Sequence, residues 1–415
     1  MLNPNEEKEL TFLCSLEENI EEINGNALIE KEITRLDKII EETKIEINNK
    51  NKYIKDFILA TDNFVVYRPT FRLHTVIAGY PWFLDWGRDT LIAFEGLFLI
   101  TKRFELAKEV LLTFIRDIKF GLVPNGYSGF DNRPLYNSVD SALLLFEQIK
   151  KYINYTGDYK FVKENFYEIL IHIIDSYKNG IDLDNNNIYL DKDGLLVSGT
   201  ETTQNTWMDA KYGDFAVTPR NGKAVEINSM WYNAVKILEE LCIKFEDKEE
   251  SKKYAKLAKK CKKSFEEKFY NKRRKCLYDV IGDSKIRPNQ LFSIALTYKV
   301  IDPSGDIAKE MFNTVTKKLL TKHGLKTLDS KDRDYVAVYE GDGFKRDMSY
   351  HQGITWPWLL GIYNDGFKSI MNAEKNKEEK ILLKAEYEKF KEGITKTFKK
   401  AIIEDKCVRK YLRVI

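Results

Sequence analysis

The chain has 415 residues, 43% of them hydrophobic and 32% charged, enough apolar material for a large buried core and too much for a disordered chain. Its 67 Lys+Arg against 64 Asp+Glu leave a net charge of +3, which argues against a surface built to neutralise nucleic-acid phosphates. No apolar run reaches the roughly 20 residues that span a bilayer, and the N-terminus has no signal-peptide pattern, so a soluble protein of the cytoplasm is expected.

In chain order, the first fifty residues are rich in Glu, Lys, Ile and Asn and read as a charged helical extension (1–50) ahead of a main body at 51–415. From 52 onward, apolar residues recur at helical spacing near 52–61, 89–101, 104–119, 137–155, 159–179, 224–243, 250–270, 287–300, 305–320, 355–365 and 375–402. In 104–119 the stripe is Leu106, Val110, Phe114 and Ile118. In 250–270 it is Leu257, Cys261, Phe265 and Phe269, with lysines on the remaining faces. The Lys-rich stretch 374–400 carries interleaved Glu throughout and reads as a solvated helix face, not a nucleic-acid or membrane patch.

The joins alternate in length. Short turns occur at 156–158 and 302–305, while 66–88, 120–136, 180–222 and 322–354 are long and rich in Gly, Pro, Asn and aromatics. Short joins favour antiparallel helical hairpins, and long ones gather where function sits. The expected fold is therefore all-α, a toroid of helical hairpins with its long loops at one end.

Five scattered cysteines, Cys14, Cys242, Cys261, Cys276 and Cys407, form no CxxC pair and read as free thiols. Four isolated histidines, His74, His172, His323 and His351, lack metal-ligand spacing, so neither a metal nor another cofactor is expected.

All six tryptophans, Trp82, Trp86, Trp207, Trp231, Trp356 and Trp358, fall in or beside the long polar connections. Flat aromatic faces among hydrogen-bonding side chains suit sugar rings. Carboxylates accompany them in three segments. YPWFLDWGRDT at 80–90 brings Arg88 and Asp89, the latter also a natural helix cap. NTWMDAKYGD at 205–214 and TPRNGKAVEINSMWYNA at 218–234 put Asp209 beside Trp207 and Glu226 near Trp231, and a carboxyl group against an indole is desolvated into the range of a general acid. YEGDGFKRDMSYHQGITWPW at 339–358 carries Asp342, Asp347, His351 and Gln352.

These motifs, with GLVPNGYSGFDNRPLYNSVDSALLLF at 121–146 and IRPNQLFSIAL at 286–296, resemble the C-terminal amylo-α-1,6-glucosidase domain of glycogen debranching enzymes, especially the bacterial and archaeal form, over about residues 52–405. The resemblance implies an (α/α)6 six-hairpin barrel and an inverting glycoside hydrolase that removes the single α-1,6-linked glucose left at a trimmed branch of glycogen or limit dextrin. It implies Asp209 as general acid and Arg88 with Asp89 as the clamp on the terminal glucose. Trp86, Asp140, Trp207, Lys223, Glu226, Asn228, Tyr350, His351, Gln352 and Trp356 are implied to line the same pocket.

Two departures from the family pattern shape the expectation. The β-rich domain that bacterial members carry ahead of the catalytic part has no counterpart before residue 52. Family members also continue past the equivalent of Ala401 and Ile402 into the motif that supplies the general base and the twelfth helix, where this sequence reads IIEDKCVRKYLRVI. The barrel is then expected to be short of its twelfth helix, with the gap covered by residues 1–48 through Leu10, Phe12, Leu13, Leu16, Ile20 and Ile23, or by a second subunit in a homo-oligomer. Asp347, then Asp342, are the stand-ins for the base. A sugar-binding protein with debranching activity well below that of complete members is expected. The alternatives are a catalytically impaired α-glucan-binding barrel and a glucoamylase-like or trehalase-like α-glucosidase.

Overall fold

A computed structural model describes residues 7, 12, 14, 24–48, 51–79, 83–128, 133–401 and 403. Among them are fourteen α-helices: α1 Gly25–Thr43, α2 Tyr53–Asp62, α3 Gly87–Phe94, α4 Phe104–Arg116, α5 Asp140–Thr156, α6 Tyr159–Asn165, α7 Tyr167–Asn179, α8 Val225–Lys244, α9 Lys248–Phe269, α10 Phe292–Ala295, α11 Asp306–Leu319, α12 Gly343–Tyr350, α13 Leu359–Ala373 and α14 Lys377–Lys400. Strands are short and lie in the connections. The longest sheet there is an antiparallel ribbon of β1 Val65–Arg68, β2 Leu73–Gly79 and β3 Phe83–Asp85. The protein is thus mostly helical, as the periodicity implies.

Helix boundaries follow local chemistry. Asp158 and Asp247 accept backbone N–H bonds at the starts of α6 and α9, and Gly157 ends α5 in the left-handed conformation at φ 72°. In α9, Tyr254, Ala258, Cys261, Phe265 and Phe269 are buried in one stripe, so the helix hides a single face. The segment expected as one helix at 287–300 is broken into a 3-10 turn, Pro288–Leu291, and the one-turn α10. Beyond Ala295 the backbone finds other partners: Thr297 N donates to Glu147 of α5, and Tyr298 N donates to Asn233 of α8 at 2.8 Å. Those side-chain acceptors replace the missing helical bonds.

Within one continuous core, α3 packs on α5, α5 on α8, α8 on α10 and α10 on α13. The starts of these helices meet in pairs. Arg88 in the first turn of α3 bonds Asp140, the first residue of α5, and Val225 N at the start of α8 donates to Asp279 O at 2.9 Å. Asp279 in turn accepts from Asn289, just ahead of α10, at 2.8 Å. Helices α4, α7, α9, α11 and α14 lie against this inner succession or its connections.

Within the first fifty residues the described part is mainly helix α1. Helix α1 packs on α2, joined by Arg35–Asp62 at 2.6 Å, and Phe12 is 93% exposed. Leu10, Leu13, Leu16, Ile20 and Ile23 lie outside the described residues, as do Trp82 and Cys407. Among the described residues no helix is long and apolar enough to cross a membrane.

Candidate active site

The centre of the site is Arg88, held where α3 starts. Gly87 N donates to Asn125 O at 2.7 Å, and any β-carbon at residue 87 would collide with the Pro124 carbonyl oxygen. Only glycine lets the 120s connection press so close to the helix start. The preceding Trp86 bridges to Gly126 and has extended backbone, and Asp89 sits in the first turn of α3, half-buried, where the helix dipole favours its charge. Asp89 is therefore not the helix cap.

Arg88 is 5% exposed and is ringed by carboxylates. Its Nε donates to both oxygens of Asp140 at 3.0 and 2.9 Å, and its Nη1 donates to Asp209 Oδ2 at 2.7 Å. Asp140 is also fixed by the Ser138 hydroxyl at 2.6 Å. Burial works against the Arg88 charge, but the carboxylates of Asp140, Asp209 and Asp89 outweigh it and hold the guanidinium charged. The Nη2 of Arg88 is buried and has no hydrogen-bond partner among the described residues. A buried cationic N–H without an acceptor is costly, and a hydroxyl group is a suitable ligand for it.

Asp209 keeps 26% of its side chain open although protein surrounds its carboxyl group on most sides. Burial raises its pKa above the ordinary carboxylate value, and the attraction of Arg88 only partly offsets this. The Trp207–Asp209 spacing in the sequence implies a raise from contact with an indole. In the structure the directly bonded neighbour is Arg88, and Trp207 works one step behind.

Trp207 is 6% exposed and anchors the loop ahead of Asp209. Its Nε1 donates to Asn289 Oδ1 at 2.7 Å, and its ring meets those of His351, Trp356 and Trp358 edge-on at 5.3, 5.9 and 5.0 Å. His351 stacks on Trp356 at 5.5 Å and accepts from Ala210 N at 3.4 Å, so it fixes the backbone just after Asp209. Tyr350 lies edge-on to Trp356 at 4.9 Å, and the Trp356 indole donates to Tyr350 O at 3.0 Å. Gln352 accepts from Arg287 at 2.7 Å. Arg88, Asp140 and Asp209 are thus directly bonded, with Trp86 and Asp89 the sequence neighbours of Arg88, while Trp207, Tyr350, His351 and Trp356 share ring contacts that reach the backbone beside Asp209 through His351, and Gln352 is tied to Arg287.

Three expected lining residues are directed elsewhere. Glu226 is fully buried against Arg220, which also bonds Asp279 at 2.6 Å. Asn228, also fully buried, donates to Leu196 O at 3.0 Å and Ala224 O at 3.0 Å and accepts from Leu196 N at 2.7 Å. Lys223 is clamped between Asp191 and Asp193 at 2.5 and 2.7 Å. Each side chain is committed to the partners named, none of which belongs to the Arg88–Asp140–Asp209 cluster. Trp231 is likewise core, fully buried and stacked with Tyr177 at 6.3 Å, and offers no sugar face.

A tier beneath Trp207 is not apparent from the motifs alone: Arg220, Asp279, Arg287 and Asn289, all at most 5% exposed. Arg220 and Arg287 each lie in a quoted motif. An arginine among loop polar residues was the available signal, but its carboxylate partner is 59 residues away for Arg220.

For the base, Asp342 is excluded from a free role because it caps α12, accepting from Lys345 N at 2.9 Å. Asp347 lies one turn further along α12, half-buried, with burial raising its pKa. It follows Gly343 and Phe344, both against Tyr212 in the loop after Asp209, so it sits on the face of α12 turned toward that loop. A cavity of about 600 Å³ between α11, α13 and α14 shares no residue with this cluster.

The family described as Amylo-alpha-1,6-glucosidase matches residues 59–409 of this chain. The Glycogen debranching enzyme of Saccharomyces cerevisiae is 26% identical over 406 aligned residues, covering 74% of this chain and 26% of that protein, so the chain spans about a quarter of its relative's length. With a match over most of its length, and with the Trp-Gly-Arg-Asp and Trp-Met-Asp segments meeting in one cluster, the chain belongs to the amylo-alpha-1,6-glucosidase family.

Proposed function

We propose that the chain hydrolyses the α-1,6-linked glucose at branch points of glycogen or limit dextrin, with Asp209 as general acid. The observation that carries this reading is the Arg88–Asp209 pair: a carboxyl group with a raised pKa, partly open, beside a buried guanidinium that has a spare N–H. Arg88 and Asp89 hold the hydroxyls of the terminal glucose, with Trp86, Tyr350 and Trp356 beside its ring and Asp140, His351, Gln352 and Trp207 fixing the groups that touch it.

The bond geometry suggests how the acid is loaded. Without sugar, Arg88 Nη1 stabilises the Asp209 carboxylate. When glucose hydroxyls engage the guanidinium, that support weakens, the Asp209 pKa rises further, and the carboxyl group takes up a proton. It then protonates the glycosidic oxygen as the bond to the anomeric carbon breaks, a step that general acids typically accelerate about 10²–10⁴-fold. Inversion requires a second carboxylate about 6.5–9.5 Å across the sugar to activate water. Asp347 is the described carboxylate we assign to that task.

The succession α3, α5, α8, α10 and α13, with other helices outside it, supports an (α/α)6 toroid occupying 51–415 behind a helical extension at 1–50. A cytoplasmic glucan as partner is part of the same reading. The test is glucose release from 6³-α-glucosyl-maltotriose by the wild type and by Asp209→Asn. Release by the wild type and none by the variant supports the reading. Glucan binding without release by either favours the impaired, glucan-binding alternative.

A further inference from the structure

Immediately after Asp209 the chain turns back on itself in a two-stranded hairpin, with Lys211 opposite Ala216 and Tyr212 opposite Phe215. Gly213 at its tip takes φ 55°, the left-handed region that such tight turns need. Residues directly opposite in an antiparallel pair project from the same face, and successive pairs alternate. Ala216 is 4% exposed, so the Lys211–Ala216 pair faces the body. Tyr212 and Phe215 consequently face outward, at 50% and 54% exposure. Polar side chains normally occupy the outward face of such a ribbon.

A third ring joins them. Phe344, in the first turn of α12, is 45% exposed and meets Tyr212 at 5.2 Å with the planes at 75°. Single exposed aromatics are ordinary, but three large rings from two elements, in one patch and flanked by Asp214, Lys345 and Arg346, mark a binding surface.

The chemistry of the reaction says which part of a substrate reaches this patch. A general acid protonates the oxygen between the glucose being released and the sugar left behind. In a branched glucan the sugar left behind is a unit of an α-1,4-linked main chain, which must therefore run past the leaving-group side of Asp209. The hairpin begins two residues beyond Asp209 and carries its rings outward from there.

We propose that Tyr212, Phe215 and Phe344 form a platform for the linear α-1,4-glucan segment that bears the branch, the rings covering sugar C–H faces while hydroxyls remain in water. This rests on the assignment of Asp209 as the acid of a branch-cleaving enzyme. Because the platform holds a part of the substrate that does not react, it contributes to binding of ground state and transition state alike, and so acts on KM and Kd and leaves kcat unchanged.

The test is the triple variant Tyr212→Ala/Phe215→Ala/Phe344→Ala of the full chain, with binding of linear maltoheptaose measured by calorimetry. Its Kd is expected to rise about tenfold or more, the effect of losing three aromatic contacts. The KM for a branched maltooligosaccharide should rise with it, while kcat and the urea unfolding midpoint stay unchanged. Tyr212→Phe alone keeps the ring and should keep the affinity. Equal maltoheptaose binding by wild type and triple variant overturns the platform, and so does a wild type that does not bind maltoheptaose. A dimer that the triple variant dissolves, with binding intact, shows a self-association surface instead and also overturns it. If maltoheptaose binding behaves as expected but the wild type releases no glucose, the hydrolase reading fails and the glucan platform stands.

Discussion

Replacing Arg88 by methionine tests the electrostatic centre of the site. Methionine keeps most of the volume and removes the charge, so the change reads the ion pairs and not a cavity. The Arg88 and Asp140 side chains are 6% and 2% exposed, and removing one member of so buried a pair costs about 3–5 kcal/mol because the other charge is left without compensation. Asp140 retains the Ser138 hydroxyl at 2.6 Å, which places the loss near the lower end, about 3 kcal/mol. The Arg88–Asp209 bond adds little to that figure, since Asp209 is open to solvent over 26% of its side chain. Urea unfolding at pH 7 should therefore show a midpoint lower by about 1–3 M, given slopes of about 1–3 kcal/mol/M. Activity carries a second signature. Arg88 pulls the Asp209 pKa down, so its loss lets the pKa rise further, and the alkaline pH at which residual glucose release falls away should move upward. An unchanged urea midpoint, or an alkaline limb that moves to lower pH, refutes the argument.

Asp209→Asn should abolish glucose release while leaving glucan affinity within a few-fold. Its stability effect has a defined sign: the folded pKa of Asp209 is raised, so ionisation penalises the fold from above about pH 3.9, the ordinary value, and fully above the folded pKa. The Asn variant should match or exceed the wild type in urea at pH 7, and the difference should vanish by about pH 3. Gly87→Ala drives a methyl group into the Pro124 carbonyl and should destabilise by about 1–3 kcal/mol, with a larger proportional loss of activity because Arg88 starts from that turn. Trp207→Phe loses the bond to Asn289 and should cost about 1–3 kcal/mol in urea unfolding through the buried amide left without its donor. Asp347→Asn should lower glucose release about 10²-fold or more with KM unchanged, and an unaltered rate removes Asp347 from the chemistry.

The helices were legible because each buries one stripe. The 224–243 expectation meets α8 at Val225–Lys244, and 159–179 meets α6 and α7 within a residue at either end. The failures occur where tertiary partners decide. Thr297 and Tyr298 leave the helical path because Glu147 and Asn233 offer acceptors from 150 and 65 residues away, which no local pattern reveals. Helix α12 has no helical signature in the sequence because it is short and exposed, with Ser349 its one buried residue and glycines at 341 and 343. At the site, Arg88, Asp140 and Asp209 were found through motifs, and their meeting joins segments 52 and 121 residues apart. Glu226 and Asn228 shared those motifs but serve Arg220 and Leu196, a distinction that rests on which way a side chain points from the first turn of α8.

The central claim is that Asp209 drives hydrolysis of an α-1,6-linked glucose with inversion. Proton NMR of the glucose first released from 6³-α-glucosyl-maltotriose, recorded before mutarotation, tests it most directly. The wild type should yield the β-anomer, and Asp209→Asn should yield none. The α-anomer, or equal release by the Asp209→Asn variant, would contradict the account.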